Sequence, residues 1–393
     1  MKKKIISLLT IIVLTIFGIL IKISFNKEES SLQDNSSKQV VKENLLSMML
    51  ETSAGSGEYK MVTQSSWPTN GYIFNAELSK CENGGELGWD STNKVVTMAG
   101  NMSDKCYVYF DKCIPKVSDF CSNGDYLAMC LADYAYNVDS SITNIYYHDG
   151  TLENGIDDGS YRYSGASSLV NNYICFGSDD DTCSADNLYR IIGVIGGKVK
   201  LIKATSLGNV DWDSNGKNTW STSSLNTYLN GTYLNTFSED WQSKIATTTW
   251  EVGGIDDIEV TAATMYTNKI DSIVMGTAEF TEYSSKVALM YAHEYGFAAS
   301  PIAWTTTLDN YDKNDSEGTS IKTNNWLHLG FCEWLVSRYS SDSANSSFVT
   351  PSGDVNYGDL VTSSYAVRPV FFLESEATYS DGVGASDNPY RLG

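Results

Sequence analysis

The feature that most constrains this chain is an uncharged apolar run that directly follows three lysines near its N-terminus. The lysines are residues 2–4, and the run is IISLLTIIVLTIFGILI, residues 5–21. A run of this length just suffices to span a bilayer as a helix. The first alanine is Ala54 and the first cysteine is Cys81, so the run is followed neither by the small residues of a signal-peptide cleavage site nor by a lipoprotein cysteine. Residues 1–25 are therefore predicted to form a lysine cluster and a single transmembrane anchor, with a signal peptide cleaved at an unusual site as the alternative.

The lysine cluster also predicts on which side of the membrane the rest of the chain lies. Positive charges stay on the cytoplasmic side, so everything after about Lys27 is expected outside the cell. The chain has a formal net charge of −21, which repels the phosphates of nucleic acids and anionic lipids. We therefore expect membrane contact through the anchor and no nucleic-acid partner.

The cysteines agree with export into an oxidising environment. The chain has eight of them and no CxxC pair, a pattern that favours disulfides over a zinc site or a thioredoxin-like site. Proximity in the sequence predicts three local bridges, with free buried thiols as the alternative: Cys81–Cys106, Cys121–Cys130 and Cys175–Cys183. Cys113 and Cys332 then remain without an assigned partner.

The distribution of polar and hydrophobic residues predicts an α+β protein with several segments after the anchor. Polar stretches favour a linker, short β-type runs between Gly and Asn turns favour antiparallel strands, and apolar residues three and four apart favour a helix. The predicted segments are a stalk over 26–60, a small antiparallel β-module over 61–112, a connecting helical segment over 113–143 and an α+β domain over 144–393.

The α+β domain contains the clearest local signals. In LYRIIGVIGGKVKLIKAT, two β-branched runs flank Gly196 and Gly197, which supply the positive φ angles of a two-residue hairpin turn. The stretches STSSLNTYLNGTYL and FSEDWQSKIA each begin near a Ser suited to N-capping, which predicts two short helices. The runs KVALMY, EWLVSRY, SSFVTPSGDV and SYAVRPVFFL are predicted to be strands.

Catalytic motifs are missing from the sequence, and we predict that the protein is not an enzyme. The three histidines are His148, His293 and His328, and none lies in HExxH or another paired-ligand spacing. The nucleophile elbow, the Walker A loop and the dinucleotide fingerprint are also absent. Adjacent His293 and Glu294 would act as an acid/base pair only if both faced a pocket. No catalytic residue is assigned.

One loop has the spacing of calcium ligands. Asp211, Asp213 and Asn215 match the first, third and fifth positions of a calcium loop, and Gly216 matches the sixth. The twelfth position is Thr222 rather than the bidentate Glu, so the alternative is a turn whose side chains cap the local backbone. Calcium at this loop is the one cofactor that the sequence suggests.

Aromatic residues are the other resource of the chain. They make up 12% of it and include 25 tyrosines. Tyrosine faces beside polar side chains suit a sugar-binding surface, but the same residues also fill the cores of β-rich secreted proteins. Composition alone leaves both interpretations open.

A series of motifs resembles an uncharacterised family of secreted or membrane-anchored proteins from single-membrane, Gram-positive bacteria. In chain order the motifs are YRYSGASSLVNNYICFG, LYRIIGVIGGKVKLIKAT, VALMYAHEYGFAASP, NNWLHLGFCEWLVSRYSS, YAVRPVFFLES and GVGASDNPYRLG. The upstream stretch CENGGELGWDSTNKVVTMAGNMSDKCYVYFD is similar to a small module that often precedes them. The resemblance covers nearly all of the exported part and implies a domain of unknown function.

The last motifs are also similar to the C-type-lectin-like fold shared with formylglycine-generating enzymes. This resemblance implies framework positions at Trp334, Gly353, Arg368 and Pro369. It does not carry over the lectin calcium site, because no proline here lies in Glu-Pro-Asn or Gln-Pro-Asp. It does not carry over the metal-binding cysteine pair of the enzymes either, because Cys332 has no nearby partner.

Together these observations predict a non-enzymatic, membrane-anchored extracellular surface protein that binds a glycan or a protein partner. One alternative is a cell-envelope enzyme on a formylglycine-generating-like scaffold, which would need a pocket that gathers Glu294, His293, Cys332 and Arg338. The other alternative is a structural subunit of a surface assembly that associates through a strand edge.

Overall fold

The computed structural model describes residues 46–52, 56–62, 67–68, 71–90, 92–100, 104–112, 115–270, 282–312 and 323–393. The predicted anchor over 1–25, most of the predicted stalk and Cys113 lie outside the described residues. In the part of the chain that is described, no helix has the length and apolar character needed to cross a bilayer. The chain divides into two units, Met1–Lys112 and Cys113–Gly393.

The first unit contains a four-stranded sheet in the order β2-β1-β6-β3 and a separate hairpin formed by β4 and β5. The strands are β1 Leu46–Glu51, β2 Tyr59–Val62, β3 Tyr72–Cys81, β4 Glu86–Asp90, β5 Val95–Ala99 and β6 Cys106–Lys112. Alternate residues of β1 and β6 are buried, and Met48, Leu50, Val108 and Phe110 form the core of this unit. The disulfide Cys81–Cys106 joins β3 to β6.

Strand β1 corrects one sequence-based prediction, because it lies within the segment predicted to be a polar stalk. It pairs in parallel with β6, whereas the pairs β3–β6 and β4–β5 of the predicted module are antiparallel. The physical reason is the alternation in LSMMLE, which buries Met48 and Leu50 against one face of the sheet. Burial on a sheet face outweighs the helical propensity of Leu and Met.

The second unit contains six α-helices and the remaining strands among the described residues. The helices are α1 Leu127–Asn137, α2 Ser140–Thr143, α3 Ser224–Tyr228, α4 Glu239–Ser243, α5 Ala262–Ile270 and α6 Ala292–Ala298. The strands are β7 Ile145–His148, β8 Ser160–Tyr163, β9 Tyr173–Cys175, β10 Leu188–Ile195, β11 Lys198–Lys203, β12 Asn209–Asp211, β13 Thr248–Glu251, β14 Gly254–Ile255, β15 Glu282–Ser285, β16 Val287–Ala288, β17 Glu333–Tyr339, β18 Asn345–Val349, β19 Val355–Leu360, β20 Ser364–Ala366, β21 Val370–Phe372, β22 Tyr379–Asp381 and β23 Arg391–Leu392.

Two larger sheets organise this unit. One has the order β16-β21-β11-β10-β8-β7, with β9 paired to β10. The other has the order β12-β20-β17-β18-β19, with β14 paired to β17. Most pairings within them are antiparallel, as in an α+β protein.

The predicted hairpin is confirmed. Strands β10 and β11 pair in antiparallel register with Ile195 opposite Lys198, and the turn residues Gly196 and Gly197 have φ angles of 57° and 74°. Both φ angles are positive, which is what this type of turn requires.

The two predicted short helices are also confirmed. Helix α3 begins after Ser223, whose side chain accepts a hydrogen bond from the backbone N–H of Asn226. Helix α4 begins after Ser238, whose side chain accepts one from the N–H of Trp241. The caps satisfy backbone donors that the first helical turn leaves free.

Helix α6 was not predicted. It directly follows the run KVALMY, which was predicted to be a strand throughout but forms only the two-residue strand β16. All seven residues of α6 are buried. A helix buried on every side shows no alternation between polar and apolar faces, so the periodicity that reveals surface helices is missing. Its start is fixed by Glu294, whose carboxylate accepts the backbone N–H of Tyr291 at 3.0 Å.

Helix α1 confirms the predicted helical spacing but not the predicted connecting role. Leu127, Cys130, Leu131 and Tyr134 are buried in the core of the second unit. The helix is therefore a structural part of this unit rather than a link to it.

Candidate ligand-binding surface

The side of helix α1 opposite its buried residues faces solvent. Met129, Asp133 and Tyr136 are exposed there, and 83% of the Tyr136 side chain is accessible. Residues three and four apart are neighbours on a helix surface, so these side chains form one stripe. Tyr126, which precedes the first helical residue, is 47% exposed and extends the stripe.

The loop before α1 is held from two directions. The disulfide between Cys121 and Cys130 ties the loop to the first turn of the helix. The backbone N–H of Gly124 donates to the carbonyl oxygen of Tyr379 at 2.8 Å, which ties the loop to β22. A loop fixed in this way presents Tyr126 from a rigid support, and rigid support lowers the entropic cost of binding.

An open cavity of about 320 Å³ lies between this loop and the helix. Its lining residues are Phe120, Gly124, Asp125, Tyr126, Met129, Cys130 and Asp133. The Asp125 carboxylate accepts the backbone N–H of Ser122 at 2.8 Å. The Asp133 carboxylate has no hydrogen-bond partner among the described residues, which leaves it available to a ligand. The lining thus combines aromatic and apolar side chains with two carboxylates.

Two more tyrosines lie on β7, the edge strand of the sheet that also contains β10, and on its neighbour β8. Tyr147 on β7 is directly opposite Tyr161 on β8, and their ring centroids are 4.6 Å apart at an interplanar angle of 31°. Tyr147 is 45% exposed. On the far side of β8, a Cβ at Gly193 would overlap the carbonyl oxygen of Tyr161, so this position needs a glycine for β10 to approach β8.

Electrostatic coupling connects the strand tyrosines with the helix. Burial raises the pKa of Tyr161, and Tyr147, Asp133 and Tyr136 raise it further. Tyr161 therefore lies within electrostatic range of both exposed helical residues. We name the surface formed by Tyr126, Asp133, Tyr136, Tyr147 and Tyr161 the tyrosine face. Together with the cavity it is the candidate ligand-binding surface.

The opposite side of the same two strands is buried under α6 and has a different chemistry. His148 packs against the rings of Phe297 and Trp304, at centroid distances of 4.8 Å and 5.3 Å. Burial lowers the pKa of His148 to about 3, and the positive charge of Arg162 adds to this effect. Arg162 donates to the Asp158 carboxylate at 2.8 Å. The pleat of β7 and β8 thus separates a buried polar layer from the exposed tyrosines.

The predicted calcium loop forms a hydrogen-bonded turn around Asp213. This carboxylate is buried and accepts the backbone N–H groups of Lys217 at 2.9 Å and of Ser224 at 3.0 Å. Asp211 lies in β12, and the Asn215 amide makes only a long contact of 3.4 Å with Asp213. Within the described part of the chain, no three His, Cys, Asp or Glu side chains are grouped so as to hold a metal ion. The geometry matches the capping alternative, and calcium binding stays a prediction.

The three predicted disulfides are present in the structure: Cys81–Cys106, Cys121–Cys130 and Cys175–Cys183. Cys332 has a free thiol. Burial raises the pKa of this thiol, and the carboxylates of Asp359 and Asp354 raise it further. A raised pKa disfavours the reactive thiolate.

The four residues that the enzyme alternative requires are engaged in different contacts. Glu294 binds the Lys200 ammonium group at 2.5 Å, and both side chains are buried. His293 stacks on the ring of Tyr291 at 5.1 Å. Cys332 directly precedes β17, whereas Arg338 lies near the opposite end of that strand, which places them on the order of 20 Å apart.

Two buried ion pairs were not foreseen as pairs from the sequence. Besides Lys200 and Glu294, Arg368 binds both carboxylate oxygens of Glu333, at 2.7 Å and 2.8 Å. The Lys200 ammonium group also lies 4.7 Å from the ring centroid of Tyr291. A charged residue within a strand of otherwise buried apolar residues is the signal that could have identified them. Arg368, which the resemblance makes a framework position, is buried.

Comparison with protein families places the known similarity in the second unit. Residues 196–375, slightly less than half of the chain, match the family described as Domain of unknown function (DUF6273). No curated protein matches the chain, and no solved structure matches it either. The matched range contains both buried ion pairs and ends before β22, whereas all residues of the tyrosine face precede it.

Proposed function

We propose that the tyrosine face binds a saccharide and that the protein is a non-enzymatic surface protein of a Gram-positive cell. The observation that carries this proposal is a group of exposed tyrosine rings beside an open cavity and a carboxylate without a partner. Six of the largest fully buried side chains are tryptophans, so core packing accounts for much of the aromatic content but not for these tyrosines. An aromatic face can cover the apolar side of a sugar ring, and a carboxylate can accept hydrogen bonds from its hydroxyl groups.

The proposed location is outside the membrane, with residues 1–25 as the anchor. The lysine cluster and the apolar run support this orientation. The three disulfides support an oxidising compartment, because such bonds rarely persist in the bacterial cytoplasm.

A C-type-lectin-like architecture for the second unit is a further part of the proposal. Trp334 lies in β17, Gly353 has a φ of 98° in the turn between β18 and β19, and Arg368 binds Glu333 at the start of β17. These three residues lie in or next to the strands of one sheet, which supports this part of the proposal. Folds of this kind can display different binding surfaces on one scaffold.

The test is a binding screen of the full chain in detergent against a glycan panel and against whole bacterial cells. We expect saccharide binding that falls about tenfold in the double variant Tyr136→Ala/Tyr147→Ala, because each removed ring forfeits about 0.5–1.5 kcal/mol of contact. The matched control is Tyr357→Ala, which removes one ring of the stacked pair Tyr339 and Tyr357 on the other large sheet.

Two results would contradict the proposal. One is the absence of specific binding to any saccharide or cell. The other is an equal loss of affinity in the control variant, which would show that the effect does not arise at the tyrosine face. The structural-subunit alternative predicts self-association through an edge strand such as β19 instead, and sedimentation of the full chain would detect it.

A further inference from the structure

The stretch that builds the tyrosine face is acidic and has no basic side chain. Between Lys116 and Arg162 the sequence contains eight Asp and Glu residues and neither Lys nor Arg. Arg162 itself lies on the opposite side of β8, buried and bound to Asp158. Two of these carboxylates, Asp125 and Asp133, line the cavity, and no Lys or Arg is among its lining residues, so its charged groups are negative.

Tyrosine rings add a second attraction for positive charge. The face of an aromatic ring is electrostatically negative and attracts a cation that lies within about 6 Å of its centre. Tyr126 and Asp133 line the same cavity, so an ammonium group inside it would meet a ring and a carboxylate together. An anionic ligand would meet the repulsion of the same groups, and a neutral ligand would gain the ring contact alone.

The shape of the surface favours a saccharide over a basic peptide. The ring pair of Tyr147 and Tyr161 lies outside the cavity, and α1, which carries Asp133 and Tyr136, packs against β7. A chain of rigid sugar rings can cover both parts at once. A lysine side chain would place its cation in the cavity, but its flexible stem loses more conformational entropy and leaves the ring pair uncovered.

We infer that the ligand of the tyrosine face is a saccharide that carries protonated amino groups, such as an oligomer of de-N-acetylated amino sugars. This inference rests on the proposed function, because it specifies which class of saccharide binds. It assigns the amino group to the cavity with Asp133 and Tyr126, and a sugar ring to Tyr147 and Tyr161.

The experiment compares two probes that differ in the amino group alone: a glucosamine hexamer with free amines and its fully N-acetylated counterpart. Binding to the full chain in detergent is measured by calorimetry at a pH at which the amines are protonated. We expect the free-amine hexamer to bind about tenfold more tightly at low salt, and this preference to shrink as salt is added.

The variant Asp133→Asn should reduce the preference about two- to fivefold. The control Asp240→Asn removes the same charge from an exposed position in α4 that does not line the cavity, and should leave the preference unchanged. A loss in both variants would show that only the net charge matters, and it would overturn the assigned position of the amino group.

The remaining outcomes separate the inference from the proposed function. If the N-acetylated hexamer binds as tightly as the free-amine hexamer, or more tightly, the inference fails and the saccharide site stands. If neither hexamer binds but an oligolysine peptide does, the face is a peptide site and both fail. If an anionic oligosaccharide such as a hyaluronan fragment binds most tightly, the charge argument is refuted while saccharide binding is retained.

Discussion

Removing the disulfide between Cys121 and Cys130 should reduce ligand binding and stability together, whereas removing a matched disulfide should reduce stability alone. The matched bridge joins Cys175 and Cys183. The two bridges close loops of similar length, with sequence separations of 9 and 8 residues. In the chain-entropy model, loops of this length give a stabilisation of about 2.5 kcal/mol in each case.

The two bridges are also alike in burial, since each joins one buried cysteine to one half-buried cysteine. The double variants Cys121→Ala/Cys130→Ala and Cys175→Ala/Cys183→Ala should therefore lose about the same free energy of unfolding. They differ in position. Cys130 lines the cavity of the tyrosine face, whereas the second bridge closes a loop whose backbone carbonyl groups accept hydrogen bonds from Arg391.

The assay is urea unfolding of the full chain in detergent, followed by tryptophan emission, together with calorimetric titration of the saccharide. Seven of the nine tryptophans lie after residue 112, so the emission reports mainly on the second unit. We expect a similar loss of stability in both double variants. Only Cys121→Ala/Cys130→Ala, in which the loop before α1 is no longer tied to the helix, should also lose affinity by at least about tenfold. Equal affinity losses in the two variants, or unchanged binding without the first bridge, would refute the assignment of the cavity as part of the site.

Three further predictions follow from buried groups. The pKa of His148 is about 3 in the folded protein and 6.5 when the chain is unfolded, so the unfolded state takes up the proton first as the pH is lowered. The free energy of unfolding should therefore fall by up to about 1.4 kcal/mol for each pH unit below 6.5, until the pH reaches about 3. Urea midpoints measured across this pH range should decrease less steeply in His148→Gln. The variant Asp213→Ala should lose about 1–3 kcal/mol of unfolding free energy with or without calcium, because two backbone N–H groups lose their acceptor. A calcium-dependent rise in melting temperature that only the wild type shows would identify a metal site instead. Glu294→Leu should cost about 3–5 kcal/mol, because it removes the carboxylate that neutralises the buried Lys200 ammonium group. The double variant Lys200→Met/Glu294→Leu should recover much of that loss in the same unfolding assay.

Local chemistry determined which parts of the fold could be predicted. The Gly196 and Gly197 turn and the Ser223 and Ser238 caps depend on contacts between residues close in sequence, and these predictions are confirmed. The three disulfides also join cysteines that are near neighbours in the chain, so proximity was a sufficient guide.

Long-range packing determined what could not be predicted. Helix α6 has no polar face because every residue of it is buried. Strand β1 acquires its role from pairing with β6, more than fifty residues later in the chain. The partner of Lys200 is Glu294, 94 residues away, and no local pattern relates the two. Tertiary context of this kind overrides local propensity.

One half of the candidate site could be predicted from the sequence, and the other half could not. Tyr126, Met129, Asp133 and Tyr136 recur at helical spacing on the side of α1 opposite its buried residues, so the sequence contained a signal for this half of the surface. The other half is formed by Tyr147 and Tyr161, which become neighbours only when β7 pairs with β8. Their exposure could not be read from the sequence, because the other face of the same strands is buried and equally rich in aromatic residues.

Scaffold and candidate site come from different stretches of the second unit. The stretch that matches the family of unknown function, residues 196–375, holds both buried ion pairs, every strand of the sheet that contains β17 and three of the seven strands of the sheet that contains β10. The tyrosine face is built from residues 126–161, which precede the matched stretch and reach the core through α1 and β7. A protein that shares only the matched stretch would therefore share the scaffold without the rings, the cavity or its carboxylates. If the proposed function is correct, saccharide binding should follow the presence of the segment around α1, β7 and β8 rather than membership of the family.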